Sequence, residues 1–492
     1  MAHHFANDFP SRLLMWQRVR EYAVPPSMID TATARRAVGD WAGACAATRV
    51  DVDLDLRTVR NRHGTELASR LRADLRRLAP DLLRWHMPRS APDGRLRPGL
   101  TLSLARYGGS GAAPVQLVVR TPPTWADAGQ RMSLALWEGS GTGAPRHHPH
   151  PHPDRRFRLD LHRHLWDAGR SGELARRCGA DATPPAAPPD RPHGTGGTLP
   201  PGLPDRPAVD DASWAVVRWA AEAELLFRAE ERPRGAFTVR LGARSRAVLE
   251  LVAPDDSHAP AFRPLREPLP PQQVAALPVL PEAAARVLPD LELLRAGLVA
   301  ADRLHPLVAA ALAEPGPAPA VVPAPAPGDP HQVECRGDIH RIALRDGALT
   351  AIDHEPSELR REELLVALGG PALPCVRAIH AVHRDPEALP AVRERLLHGD
   401  IAGALAVVEG LLGPRAVLPD GPLRQELESA AARRVDHGLF RSGLVTVHPA
   451  AEAAPGAGHA DASRRPQLDR HVPHDLLRKH ISRARPRTGL MR

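Results

Sequence analysis

The chain has 492 residues, 43% hydrophobic but only 3% aromatic, with 54 prolines, 38 glycines and a formal net charge of +8. That length suits about three domains, and so much proline and glycine predicts folded modules joined by linkers rather than one body. Four scattered cysteines (Cys45, Cys178, Cys335 and Cys375), none in a C-x-x-C pair, argue against a disulfide framework or structural zinc and for reduced thiols in a cytoplasm.

Ser11 to Tyr22 reads as a short helix carrying Leu13, Leu14, Trp16 and Val19, interrupted by Pro25-Pro26. A second helix is expected from Ser27 to Val38. It ends at Gly39-Asp40-Trp41-Ala42-Gly43-Ala44, a helix-turn-helix corner in which Gly39 closes one helix and Asp40 caps the next. Val50 to Leu56 alternates with period two, as a short strand or extended link. Its aspartates, Asp51, Asp53 and Asp55, lack the glycine and closing glutamate of a calcium loop. From Leu56 to Trp85 apolar residues recur at spacings of three and four, one continuous helical stripe that Pro80 divides. His63 lies on that stripe and reads as a core or boundary residue.

The period then changes from helix to sheet. Leu100–Tyr107, Val115–Arg120, Arg131–Trp137 and Phe157–Leu161 predict a four-stranded antiparallel meander packed on the long helix. Gly108-Gly109-Ser110-Gly111 is a turn and not a phosphate loop, since no Gly-Lys-Ser/Thr follows. His147, His148, His150 and His152 alternate with prolines, which hold the tract extended and keep the imidazoles from converging on a metal. His162 and His164, beside Trp166, read as structural.

These helices and strands define a module over 11–178, followed by a linker over 179–210. A helix from Ala212 to Glu231 and a hairpin of Phe237–Leu241 with Val248–Val252 make a small unit over 211–253. A proline-rich link with helices near 282–313 covers 254–314, and a Pro/Ala linker covers 315–330. The last module, 331–442, opens with strands Val333–Cys335, Ile339–Leu344 and Ala348–Ile352. Helices follow near 356–368, 373–383, 387–398, 401–412 and 422–440. Residues 443–492 show no apolar periodicity and are expected to be disordered and basic. Within 461–492 nine basic residues face three aspartates, a net +6 that leaves the rest near neutral. Lys479 is the only lysine, an arginine bias that a GC-rich genome would produce. The fold class expected is thus α+β and multidomain, with N-terminal helices on an antiparallel sheet and a mainly helical C-terminal module.

Gly399-Asp400-Ile401-Ala402-Gly403-Ala404 repeats the first corner, 360 residues on. With Val333 to Gly337, His340, Asp346-Gly347, Arg361 to Glu363, Ala367 to Gly370 and His398, it lends residues 331–412 a resemblance. They resemble a segment that precedes ankyrin repeats in some uncharacterised proteins of high-GC, actinobacterial-type bacteria. The resemblance implies no known activity, and no Thr-Pro-Leu-His repeat follows Leu412.

No apolar run reaches about 18 residues, and no charged start leads into an apolar stretch, so neither a membrane span nor a standard secretion signal is expected. Metalloprotease, nucleophile-elbow, Walker and dinucleotide signatures are absent, so no catalytic, cofactor or metal residue is assigned. Asp353-His354-Glu355 is the nearest approach to an acid–base cluster. The function expected is that of a cytoplasmic, non-enzymatic protein-interaction or scaffold protein. Its partner surface is placed on helices 387–440, with Leu439 exposed. The alternatives are an enzyme with no recognisable motif and a nucleic-acid-associated protein contacting phosphates through its basic tail.

Overall fold

The computed structural model describes residues 11–108, 114–127, 129–139, 152–180, 214–242, 245–252, 259–313, 332–335, 338–345, 348–351, 388–412 and 422–442, with isolated positions between 354 and 368. The chain forms a mixed α+β structure of several small sheets, divided into two units: Met1–Ala313 with Ala432–Arg492, and Glu314–Ala431. The His-Pro tract up to 151, Gly109–Gly111, the linkers at 181–210 and 315–330, the helix expected at 373–383 and the basic segment 443–492 lie outside the described residues.

The first unit opens with helices α1 (Ser11–Tyr22) and α2 (Pro26–Ala37). Gly39 takes φ +76° and Asp40 accepts the Gly43 amide at 2.8 Å, starting α3 (Trp41–Ala47). After β1 (Val50–Asp53), Asp55 caps α4 (Leu56–Arg77) through the amides of Arg57 and Thr58. Pro80 then begins α5 (Pro80–His86), because proline lacks the amide hydrogen that a first-turn residue leaves unused. Leu71, Leu75, Leu78, Leu82 and Trp85 of the expected stripe are all buried in the main core. Removing one such leucine side chain should cost about 2–5 kcal/mol.

Two short strands, β2 (Arg89–Ser90) and β3 (Arg95–Leu96), pair as a ribbon. β4 (Thr101–Tyr107), β5 (Val115–Arg120) and β6 (Met132–Trp137) form the expected antiparallel run. The fourth strand is not Phe157–Leu161. β1 fills that place, parallel to β6, in the order β1-β6-β5-β4. Residues 157–162 instead turn repeatedly, with the amides of Phe157, Leu161 and His162 donating to carbonyls three residues back. Only one bridge, Ser103 to Arg158, ties that stretch to β4.

Short helix α6 (Leu174–Cys178) precedes α7 (Trp219–Ala229), which starts later than the expected Ala212 because Val216–Arg218 is a 3-10 turn. β7 (Ala236–Arg240) and β8 (Arg246–Val252) make the expected hairpin, and β9 (Ala261–Pro264) adds a third strand. Residues 259–313 also carry α8 (Pro271–Ala276), α9 (Glu282–Ala285), α10 (Pro289–Arg295) and α11 (Pro306–Leu312). Leu291, Leu304 and Val308 from this stretch enter the same core as Leu71 and Trp85. Residues 432–441 also belong to this unit. His437 Nδ1 meets the Ala126 carbonyl at 2.9 Å, Phe440 packs edge-on to Trp125, and Arg441 pairs with Asp53 through both terminal nitrogens.

The second unit holds an antiparallel sheet of β10 (Gln332–Cys335), β11 (Asp338–Arg345) and β12 (Ala348–Ala351). Its helices are α12 (Ala388–Leu397) and α13 (Ile401–Leu412), joined by the second Gly-Asp corner. Val392, Leu396, Ala404, Val408 and Ala430 form its core, the last from α14 (Pro422–Arg441). Leu439 is half-buried rather than exposed; the exposed apolar residue on that part of α14 is Val435.

Candidate functional site

A cavity of about 270 Å³ opens within the first unit. α1 contributes Met15, Trp16 and Arg20, and the turn after α5 contributes His86 to Arg89. The run Arg156-Phe157-Arg158-Leu159 supplies one wall, and α6, the α9–α10 segment, Leu102 of β4, His164, Leu165 and Arg218 supply the rest. The lining is apolar in its body, with Met15, Trp16, Leu102, Phe157, Leu159 and Leu174, and basic in its polar groups, with eight arginines against a single carboxylate, Glu282. This mixture of apolar surface and a few oriented polar groups is the usual make-up of a small-molecule site.

Carboxylates behind the wall fix most of the guanidinium groups. Arg20, buried between the rings of Trp16 and Trp85, donates to Asp290 at 2.7 Å and to the Trp85 carbonyl at 2.7 Å. Arg12 pairs with Glu292 at 2.6 Å, and Arg156 with Asp154 at 2.5 Å. Arg158 reaches Asp160 at 2.8 Å and Glu230 at 3.1 Å. Buried Glu222 of α7 receives Arg177 at 2.9 Å and Arg218 at 2.8 Å. Planar guanidinium–carboxylate pairs of this kind set direction as well as charge. They tie α7 and α10 to the cavity and so hold its walls in place.

Arg89 differs. It donates through Nη2 to the Arg84 carbonyl at 2.7 Å, while its Nε and Nη1 are shielded from solvent and have no hydrogen-bond partner. Burial, with Arg20 nearby, pulls its guanidinium down to about 9.

The imidazoles and the thiol around the cavity are held neutral. His86 Nδ1 faces the carbonyls of Leu82 at 3.1 Å and Leu165 at 3.2 Å, so it carries the proton, and Nε2 has no partner. Burial pushes this imidazole down to about 4. His162 is likewise pushed to about 4 by burial, against the opposing charge of Glu222; its Nδ1 accepts from Arg177 at 3.3 Å. His164 lies well below the ordinary range through burial and its neighbour His162, whose ring is 5.6 Å away. Burial raises the Cys178 thiol to about 11.

Of the residues singled out by sequence, His164 and Cys178 line the cavity, His162 lies beside it, and the others fall elsewhere. His162 and His164 are both buried. His63 reaches Glu138 at 2.7 Å on the far end of α4. Asp51 accepts from Arg131 and His437, whose hydrogen bonds outweigh burial and hold its carboxyl well below the usual range; Asp53 takes Arg441 and Asp55 caps α4. His354 meets Glu358 at 3.4 Å, while Glu355 is exposed and Asp353 lies outside the described residues. Cys45 and Cys178 are buried free thiols. Among the described residues no group of three or more His, Cys, Asp or Glu is set to hold a metal ion, and no helix is long and apolar enough to cross a membrane. The cavity arginines escaped the sequence reading. Their one local signal is the alternation of Arg158 with Phe157 and Leu159, which predicts a strand over Phe157–Leu161. No known protein family, no curated protein and no solved structure matches the chain.

Proposed function

We propose that the first unit is a binding module for a small organic molecule, and that the chain works as a cytoplasmic interaction protein rather than as an enzyme. The observation that carries the reading is the cavity itself, an apolar space whose polar rim is locked by ion pairs to α7 and α10. Pre-fixed walls lower the ordering cost of binding. The state of its reactive groups supports binding over chemistry. A thiol raised to about 11 and imidazoles lowered to about 4 make a poor nucleophile and poor bases at neutral pH.

Ala283 lines the cavity and is exposed, so Ala283→Trp should narrow the mouth while sparing the core. Wild type should take up a small apolar fluorophore such as phenylnaphthylamine with stoichiometry near one, and Ala283→Trp should lose that uptake at an unchanged melting temperature. Wild type that binds no such probe sinks the reading.

A second reading concerns the other unit, where Leu364, Leu368 and Leu405 are 64%, 85% and 39% exposed. Apolar side chains left in water on a small unit support a contact surface for a protein partner. Leu368→Glu with Leu405→Glu should leave folding intact and reduce recovery of any protein that co-purifies with the wild type. Equal recovery would place the contact elsewhere.

A further inference from the structure

We infer that the ligand of the cavity is an organic monoanion, an apolar ring-sized body bearing one carboxylate or sulfonate that Arg89 receives. The inference rests on the cavity being a binding site, and it is drawn from charge and geometry around it.

Seven of the eight lining arginines have a carboxylate within 4 Å, counting Glu282 at 3.8 Å from Arg286. Arg89 has none, only the Arg84 carbonyl, and two of its nitrogens have no partner at all. A guanidinium withdrawn from water without an opposite charge is costly, and an incoming anion relieves that cost. The choice of Arg89 over its neighbours follows from what each would lose. Arg20, Arg158 or Arg177 would have to leave an ion pair to turn toward a ligand, whereas Arg89 gives up one hydrogen bond to a carbonyl.

The same accounting fixes the number of charges. Arg177 and Arg218 share Glu222 while Arg158 holds both Asp160 and Glu230, so the eight arginines face seven carboxylates within 4 Å; Arg89 has only the more distant Asp127, and a single further negative charge balances the set. A cationic ligand would face eight guanidinium groups with only Glu282 to receive it. A neutral ligand would fill the apolar body, set by Trp16, Phe157 and Leu159, and leave Arg89 as it is.

The test uses the full chain and two fluorophores of matched shape, anilinonaphthalene sulfonate and its uncharged counterpart phenylnaphthylamine. Wild type should bind the sulfonate at least about tenfold more tightly, the size of one charge-assisted hydrogen-bond pair. Arg89→Gln should erase that difference and leave the affinity for the neutral probe unchanged. Ala283→Trp should remove both. If wild type binds the two probes equally, the cavity remains a binding site and the anion inference is overturned. If it binds neither, the binding reading itself fails. Sulfonate binding that survives Ala283→Trp lies outside the cavity and also overturns the inference. Where Arg89→Gln does not fold, the wild-type comparison still decides whether the ligand is an anion, and a folded Arg89→Gln that keeps the preference overturns the assignment to Arg89.

Discussion

Residues 35–44 and 395–404 solve one problem twice. In each, a glycine at φ +76° or +79° ends a helix and an aspartate caps the next through the amide of a glycine three residues on, at 2.8 Å in the first and 3.2 Å in the second. An arginine five residues before the aspartate grips the same carboxylate, Arg35 on Asp40 at 3.2 Å and Arg395 on Asp400 at 2.8 Å. The second glycine is explained as well. A Cβ on Gly43 or on Gly403 would lie 2.1 Å from Oδ2 of the capping aspartate, the oxygen that the arginine holds, so the side chain can lie there only over a glycine. What separates the corners is exposure. The Asp40 and Arg35 side chains are 37% and 58% exposed, while those of Asp400 and Arg395 are 10% and 30%. One local geometry therefore sits in two dielectric settings, and the same substitution should read differently in each.

Acid should separate the corners most. His86 and His162, in the first unit, remain neutral in the folded chain down to about pH 4. In the unfolded chain they take a proton near pH 6.5, so the unfolded state binds more protons between those values, and stability falls as pH drops through that window. A loss of a few kcal/mol is expected by pH 4. All eight tryptophans lie at or before Trp219, so their fluorescence reports the first unit alone. Amide exchange at 40–47 should rise in acid before exchange at 400–408; the reverse order would show that the imidazoles do not set acid stability.

Next in size is Asp400→Ala, at about 2 kcal/mol by urea unfolding, because a mostly buried cap and an ion pair go together. Asp40→Ala should cost about 1 kcal/mol, since water and a mobile Arg35 replace more of what is lost. Equal costs at the two sites would show that burial does not govern the cap. Smallest is Gly43→Ala. The new methyl displaces the cap, yet alanine favours a helix over glycine by about 1 kcal/mol, so the net should stay within about 0.5 kcal/mol of zero.

Local chemistry was legible in the sequence where a residue acts on its near neighbours. The corners, the Pro80 break, the β4–β6 run, the hairpin and the stripe from Leu56 to Trp85 all depend on spacings of a few residues. Gly64, at φ +84°, kinks that stripe without any pattern to announce it. The alternation at Val50–Asp53 suggested a strand but not its parallel partner, because pairing with β6 is settled about 80 residues away. Phe157–Leu161 alternated and still did not become a strand: Arg158 spends its guanidinium on Asp160 and Glu230, and its backbone turns. The cavity was not legible at all. Arg20 meets Asp290 across 270 positions and Arg177 meets Glu222 across 45, and composition makes arginine ordinary here.

His437 and Arg441 close onto Asp51 and Asp53 across 386 and 388 positions, with the whole of Glu314–Ala431 strung between the two sides of that clasp. The ribosome therefore lays down the acidic half of the clasp long before it releases the basic half. The unit that is begun first is finished last, and a nascent chain paused inside 314–431 holds an open circuit. Once shut, the clasp joins the early and late parts of the first unit. A single protease cut within 314–431 would keep every clasp residue present yet turn its closure from an intramolecular loop into the meeting of two chain ends, at a cost that grows with dilution.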